Sequence, residues 1–439
     1  MQTSIAGNFS RRTLNTLNTL TDKLLSTPCL YTVFCLVFLK PRPILKFDEY
    51  LGSALNLPSF PLFRVMEYIM MALVLLCYIL RLATGKNRKV NPAFLCITGL
   101  FLYLALITFI FGGASGFHLD WHAGFVLMMM IDMGLQRERK SLICGLTSAL
   151  EFWVYLNALT ILLFPASFSP DPNVTEWVLG YHVYYYRILF PALAMVIVRY
   201  HVLGRKGKWR VAAMTVVCVF TVMQQRGATA LVGMALFAAL LIWCNRRALP
   251  RYISPVSFML LAVLLFIGIQ YFDLLNLFKS LVTKVLGKDM TLTRRTLLWT
   301  NTMEVVFNNP VTGIGYLPIA YKVQIFGEHA AHTHNQLLEL MLHGGLIAVS
   351  LFIAALFFSA KAALLHRRNP AVKTIAILLC TFIFMGLVEI FHNDPIYYAL
   401  FVLLARADCL EEGVRQLPRI SVFKRIKRDL QRLPQSANE

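Results

Sequence analysis

Residues 93–113, AFLCITGLFLYLALITFIFGG, decide the fold class of this chain. The whole run lacks a charged side chain, and about 20 consecutive apolar residues are enough for a helix to cross the hydrocarbon core of a bilayer. Comparable runs recur before and after it. The sequence therefore predicts an all-α polytopic membrane protein with about twelve transmembrane helices. The predicted spans are 24–39, 62–82, 93–113, 119–135, 141–165, 182–203, 210–224, 228–244, 254–272, 337–359, 372–391 and 395–406.

The composition agrees with a membrane protein and excludes several soluble classes. Hydrophobic residues make up 58% of the 439 residues and charged residues only 15%, whereas soluble domains have about 45–50% and about 25%. The nine cysteines form no Cys-x-x-Cys pair, so neither a disulfide framework nor a zinc site is indicated.

The basic residues indicate the orientation of the spans. Most of the 42 lysines and arginines fall in the N-terminal segment, in every second connection and in the tail. By the positive-inside rule these parts are cytoplasmic. The net charge of +20 therefore reflects topology, and we expect no nucleic-acid partner. One basic cluster is an exception, because the predicted topology places it on the outer face: Lys40, Arg42 and Lys46.

The predicted topology divides the chain into four parts. Transmembrane helices 1–9 occupy residues 1–272, a large extracytoplasmic loop occupies 273–336, helices 10–12 occupy 337–406, and a basic cytoplasmic tail occupies 407–439. The loop is too long for a simple turn, and long ordered loops are usually functional. From Leu274 onward, its apolar residues have helical spacing, which predicts an amphipathic helix at the membrane surface. A second helix follows, with Thr293 as a candidate N-cap.

The loop and its flanks carry a succession of motifs. It comprises Gln225-Arg226-Gly227, Arg295-x-x-x-Trp299, Asn309-Pro310-x-x-Gly313-x-Gly315, and His334-Asn335 followed by Gly344-Gly345 and an apolar helix. This pattern resembles the O-antigen ligase/polymerase family, and within that family it is most similar to the ligases that join O-antigen to lipid A-core. The motifs cover roughly residues 224–350, while the N-terminal half matches only in its layout of spans.

The resemblance implies a function and a cellular location. It implies a GT-C-like membrane glycosyltransferase in the inner membrane of a Gram-negative bacterium, with its active site facing the periplasm. The donor would be a glycan on undecaprenyl diphosphate, the acceptor a sugar hydroxyl of lipid A-core, and the surrounding partners membrane lipids. The sequence has no Asp-x-Asp motif, P-loop or dinucleotide fingerprint. We therefore expect a reaction without a metal or another cofactor. Attack from the face opposite the departing diphosphate would make this reaction inverting.

The resemblance also assigns roles to individual residues. His334 would be the catalytic base that deprotonates the acceptor hydroxyl. Arg226 and Arg295 would bind the diphosphate, since a guanidinium group can hold two phosphate oxygens at once. The weaker candidates for this anion site are Arg187 and Arg294, and the supporting residues would be Asn335, Trp299 and His332.

Less specific interpretations remain open for these residues. Arg226 could be an interfacial arginine that reaches lipid head groups, and Arg294 or Arg295 could be a solvated loop charge. Arg187 follows Tyr184–Tyr186, which could belong to an aromatic belt at the membrane surface. His332 and His343 could be purely structural.

Other functions also remain open. A polysaccharide polymerase uses a similar donor but takes a second lipid-linked repeat as its acceptor. A polysaccharide transporter belongs to a different class, and it is suggested by four carboxylates within apolar runs. For these carboxylates we favour structural pairing between helices: Glu67, Asp132, Glu151 and Glu389.

Overall fold

The computed structural model of the chain describes residues 27–41, 43, 62–83, 91–112, 121–167, 175–181, 184–225, 227–272, 274, 276, 295–317, 319–327, 332–391 and 394–410. Within these residues the regular secondary structure is α-helical apart from a two-stranded antiparallel hairpin of β1 (Glu176–Trp177) and β2 (Gly180–Tyr181) and a π-helical turn (Thr108–Gly112).

Fourteen α-helices lie in the described part of the chain. In chain order they are α1 (Pro28–Phe38), α2 (Leu62–Ala83), α3 (Pro92–Ile107), α4 (Trp121–Arg137), α5 (Arg139–Leu163), α6 (Tyr186–Val202), α7 (Lys208–Gln225), α8 (Ala228–Cys244), α9 (Pro255–Tyr271), α10 (Arg295–Asn308), α11 (Ile319–Phe326), α12 (Gln336–Leu365), α13 (Pro370–Met385) and α14 (Pro395–Ala405).

Each predicted span contains a helix with similar bounds, except that the helices of spans 337–359 and 372–391 end at Leu365 and Met385. Among the described residues, three stretches are long and apolar enough to cross a membrane by themselves: Pro92–Phe111, Arg139–Leu163 and Gln336–Leu365. Five other apolar helices, α1, α8, α9, α13 and α14, are shorter. The chain is therefore a helical membrane protein, while twelve crossings and the division into four parts stay predictions. The amphipathic helix and the Thr293 cap fall largely or wholly outside the described residues.

Several helices begin at a polar residue followed by proline. Asn91 accepts hydrogen bonds from the N–H groups of Ala93 and Phe94, and Asn369 caps α13 in the same way. Proline suits the first helical position because the N–H group that it lacks would have no partner inside the helix. These caps explain why the hydropathy pattern predicts the helix starts so closely.

The carboxylates within apolar runs are paired, as the sequence predicts. Each has a basic partner on another part of the chain: Glu67 with Lys40, Asp132 with Arg406, Glu151 with Arg210, and Glu389 with Arg295. A charge removed from water is costly unless it is paired, so these pairs fix the helices against one another. The bond from Lys40 also gives one residue of the exceptional outer cluster a structural role, whereas Arg42 and Lys46 lie outside the described residues.

Helix α12 is broken where the sequence predicts a continuous span. Gly345 has φ 57° and ψ −157°, a combination that is essentially restricted to glycine. Residues 310–316, which we call the docking segment, pack against α12 at the break. The backbone N–H of Ile314 donates to the carbonyl of Leu342 at 3.0 Å, and the N–H of Leu346 donates to that of Pro310 at 2.9 Å. The docking segment thus satisfies backbone groups that the break would leave unpaired in an apolar environment.

Candidate functional site

An unwound segment, residues 386–391, lies between α13 and α14. The sequence predicts that this span continues to residue 391, but α13 ends at Met385. Side chains from the start of α12 hold the unwound backbone. Asn335 Nδ2 donates to the carbonyl of Leu387 at 3.1 Å, and Gln336 Oε1 accepts from the N–H of Phe391 at 2.6 Å. Polar tertiary contacts therefore satisfy the carbonyl of Leu387 and the N–H of Phe391, while the N–H groups of Leu387 and Val388 keep turn-type bonds to α13.

Arg295 contacts the same segment from the first residue of α10. Its Nη1 donates to the carbonyl of Val388, and its Nη2 lies 3.1 Å from Oε1 of Glu389. The Glu389 side chain is only 3% exposed, whereas 20% of the Arg295 side chain remains exposed. The guanidinium group is thus oriented by the protein on one side and open on the other.

His334 approaches Glu389 from a different direction. Its Nδ1 lies 3.9 Å from Oε2 of Glu389, beyond hydrogen-bond length, and 27% of its side chain is exposed. His334 has φ +53°, which is uncommon for a residue with a side chain and often marks functional sites. Glu389 therefore brings Arg295 and His334 together, although they are far apart in sequence.

The electrostatics of Glu389 reflect these neighbours. Burial raises the pKa of its carboxyl group, but the His334 imidazole and the guanidinium groups of Arg295 and Arg187 outweigh burial and hold the pKa below its usual value. Glu389 is therefore a carboxylate at neutral pH, and it can hold the cationic and polar groups around it.

The supporting residues His332, Trp299 and Asn335 surround His334. Nδ1 of His332 accepts the backbone N–H of His334 at 3.3 Å, and the two rings lie 4.0 Å apart. Burial, followed by the proximity of His334, lowers the pKa of His332 to about 4. Trp299, completely buried, donates from Nε1 to the carbonyl of Thr333 at 2.9 Å. Asn335 caps α12 by accepting the N–H of Leu338.

Arg187 lies at the edge of the residues around His334. It forms an ion pair with Asp394, with Nη1 3.1 Å from Oδ2, and its guanidinium carbon lies 4.3 Å from the centre of the Tyr184 ring. Its guanidinium carbon also lies 5.7 Å from the centre of the Phe391 ring, in the unwound segment that contains Glu389. The other predicted anion-binding residues, Arg226 and Arg294, lie outside the described residues, so their roles stay predictions.

An apolar cavity of about 240 Å³ adjoins the polar residues around His334. It lies between α9, α10, α12 and α13, and Asn335 and Gln336 line its polar end. The apolar walls include Met259, Phe266, Met303, Leu338, Met341 and Leu387. Among the described residues, no cluster of three or more His, Cys, Asp and Glu side chains is placed to hold a metal ion.

Sequence reasoning assigned Glu389 a structural role and did not single out Asp394. The signal for Glu389 was present, because a carboxylate within an apolar run is a candidate for function by default. Its link to His334 was not visible in the sequence, because that link depends on the unwinding of residues 386–391.

Comparison with known proteins identifies a family that part of the chain resembles. Residues 189–353 match the family model described as O-antigen ligase. The exopolysaccharide production protein ExoQ of Rhizobium meliloti (strain 1021) is 28% identical over 224 residues, which represent 46% of this chain and 50% of that protein. The chain thus spans about half the length of this relative. The family match contains Arg295 and His334, and the predicted resemblance is confirmed: residues 189–353 are similar to the O-antigen ligase family.

Proposed function

We propose that this chain is an O-antigen ligase. It transfers a glycan from undecaprenyl diphosphate to a sugar hydroxyl of lipid A-core at the periplasmic face of a Gram-negative inner membrane. Its fold is GT-C-like, and its mechanism is inverting and independent of metal. The observation that carries the proposal is the convergence on Glu389 of Arg295 and His334, two residues that lie inside the segment matching the O-antigen ligase family.

Arg295 stabilises the leaving group. Transfer breaks the bond between the anomeric carbon and the diphosphate oxygen, and negative charge develops on the diphosphate. The open side of the Arg295 guanidinium group binds this charge while Val388 and Glu389 hold the other side. A donor that is oriented before the reaction stabilises developing charge without a cost of reorganisation, and one such donor is worth about 10²–10³ in kcat. Arg226, Arg187 and Arg294 are further candidates for this anion site.

His334 accepts the proton of the acceptor hydroxyl. The Glu389 carboxylate faces Nδ1 of His334 and favours the tautomer that is protonated there, which leaves the lone pair of Nε2 for the acceptor. The acceptor oxygen then attacks the anomeric carbon from the face opposite the diphosphate, and its proton moves to Nε2. The distance of 3.9 Å suits an enzyme without substrate, since catalytic hydrogen bonds commonly shorten when substrate binds.

The apolar cavity supports a lipid-linked donor. It is lined in part by Asn335, the residue that follows His334, and its methionine and phenylalanine walls suit the first isoprene units of a polyprenyl chain. The diphosphate would then lie where the apolar cavity meets the polar residues around His334.

A polysaccharide polymerase is the second candidate. The name of the Rhizobium meliloti relative refers to exopolysaccharide production, which favours chain extension over transfer to lipid A-core. The two functions share the donor and the site described above, and they differ only in the acceptor.

One reconstitution distinguishes these functions. The purified chain is incubated with an undecaprenyl-diphosphate-linked glycan and either lipid A-core or a second lipid-linked repeat. We expect product on lipid A-core without added nucleotide or divalent cation, and loss of that product in His334→Ala and Arg295→Ala. Elongation of the lipid-linked repeat alone would identify a polymerase. Movement of intact donor across a vesicle membrane without any transfer would identify a transporter.

A further inference from the structure

Glu339 and His343 form a buried polar pair on α12, between His334 and the break at Gly345. Their side chains are 2% and 1% exposed. Nε2 of His343 lies 3.0 Å from Oε1 of Glu339, and Oε2 of Glu339 accepts the backbone N–H of Thr333 at 2.8 Å. A single carboxylate group therefore joins His343 to the residue directly before His334.

The docking segment holds His343, the second residue of this pair. Nδ1 of His343 lies 2.8 Å from the carbonyl oxygen of Gly315, and the N–H of Gly315 donates to the carbonyl of His343 at 2.9 Å. A carbonyl oxygen only accepts hydrogen bonds, so Nδ1 carries a proton. The Tyr316 ring stacks on the imidazole with 3.9 Å between ring centres. His343 is thus held through its side chain and its backbone at once.

Thr333, which is bound by Glu339, forms hydrogen bonds through all of its polar groups. Its N–H is bound by Glu339, its carbonyl by Trp299, and its hydroxyl donates to the carbonyl of Asn335 at 2.9 Å. The next residue, His334, has the unfavourable φ of +53°. Such a conformation persists only where the surrounding contacts enforce it, and the Thr333 contacts supply that constraint.

We propose that Glu339 and His343 are positioning residues that set the place of the His334 imidazole. This inference rests on the proposed function, in which His334 is the catalytic base. Neither residue touches the substrate in this arrangement. They act by connecting the docking segment in the broken helix to Thr333. A displacement of a catalytic group by about 1 Å can cost about 10²-fold in rate, so the loss of this connection lowers kcat and leaves donor binding largely intact.

The test compares two substitutions of Glu339 in the full-length protein. Glu339→Gln keeps both hydrogen bonds, because the amide oxygen accepts from the N–H of Thr333 and the amide nitrogen donates to Nε2 of His343. Glu339→Leu removes both bonds. We expect Glu339→Gln to keep kcat within about 3-fold and Glu339→Leu to lower it about 10²-fold, with the KM for the lipid-linked donor little changed in each.

Two further variants complete the test. Glu304→Leu on the exposed face of α10 is the matched control, and we expect its kcat to equal that of the wild type. Glu339→Asp keeps the charge but is one methylene shorter, so it cannot reach both partners. We expect it to lose kcat as Glu339→Leu does, and it serves as the test variant if Glu339→Leu does not fold. Binding of the lipid-linked donor and the melting curve confirm that each variant is folded.

Several results would overturn the positioning role. They are wild-type kcat in Glu339→Leu or Glu339→Asp, an equal loss in Glu339→Gln and Glu339→Leu, or a loss that lies wholly in the KM for the donor. Failure of the proposed function would look different, because the wild type would then transfer no glycan or His334→Ala would transfer it normally.

Discussion

Replacing Glu389 by glutamine tests the link that Glu389 forms between Arg295 and His334. The amide keeps the size of the side chain and an acceptor for Arg295, but it removes the negative charge near His334. An orienting carboxylate in direct contact with a catalytic imidazole is worth about 10⁴ in kcat. Here Oε2 lies 3.9 Å from Nδ1, so we expect a smaller loss of about 10- to 100-fold.

The same substitution also changes stability. Breaking a buried ion pair from one side costs about 3–5 kcal/mol. Arg295 keeps its bond to Val388 and is 20% exposed, so we expect a loss near the lower end of this range or below it, about 1–3 kcal/mol.

The assay measures initial rates of glycan transfer with purified protein, lipid-linked donor and lipid A-core, with melting curves for each variant. Glu304→Gln, which removes an exposed carboxylate of α10, is the control and should behave as the wild type. Because the pKa of Glu389 is held below its usual value, the ratio of wild-type to variant rates should stay constant around neutral pH. A Glu389→Gln protein with wild-type kcat would refute the orienting role of this carboxylate.

Three further predictions concern other residues of the fold. Gly345→Ala should lower the free energy of unfolding by about 2–5 kcal/mol, since its Cβ would lie 2.3 Å from the carbonyl oxygen of Val311 and its backbone would be strained. The control is Gly327→Ala, where φ is +80° but nothing lies within 4 Å of the added Cβ. It should lower the free energy of unfolding by about 1–2 kcal/mol, as measured by the same melting curves. The pKa of His332 is lowered to about 4, so its contribution to stability should be complete above its ordinary pKa of 6.5 and should be lost as pH falls towards 4. In His332→Asn, the melting temperature should therefore depend less on pH in that interval. Lys373→Met should lower the melting temperature and leave kcat unchanged, because Lys373 donates to three backbone carbonyls at the end of α8.

The helices could be predicted from the sequence because the bilayer leaves few alternatives. A lipid-exposed backbone must satisfy its own hydrogen bonds, so a long apolar run forms a helix whatever its neighbours are. Starts such as Asn91-Pro92 and Asn369-Pro370 add local signals that fix the boundaries. The pairing of Glu67, Asp132 and Glu151 followed from the high cost of an unpaired charge in such a helix.

The break in α12 and the unwound segment could not be predicted in this way. Both depend on partners that lie far away in the sequence, namely the docking segment for Gly345 and the side chains of Asn335, Gln336 and Arg295 for residues 386–391. Hydropathy along either segment stays high, so a continuous helix satisfies the pattern equally well. The Gly344-Gly345 pair and Gly386 were the available local signals.

The candidate site was predicted in part. His334, Arg295 and the supporting residues follow from motifs, and the structure places them together. Their common partner, Glu389, appeared only as a carboxylate in an apolar run.

The most direct test of the central claim is a structure of the chain with a lipid-linked diphosphate glycan bound. If Arg295 and His334 serve one substrate, the diphosphate oxygens should lie about 3 Å from the Arg295 guanidinium group, with the anomeric carbon beside Nε2 of His334. The account would be contradicted by a diphosphate that binds elsewhere and contacts neither Arg295 nor His334.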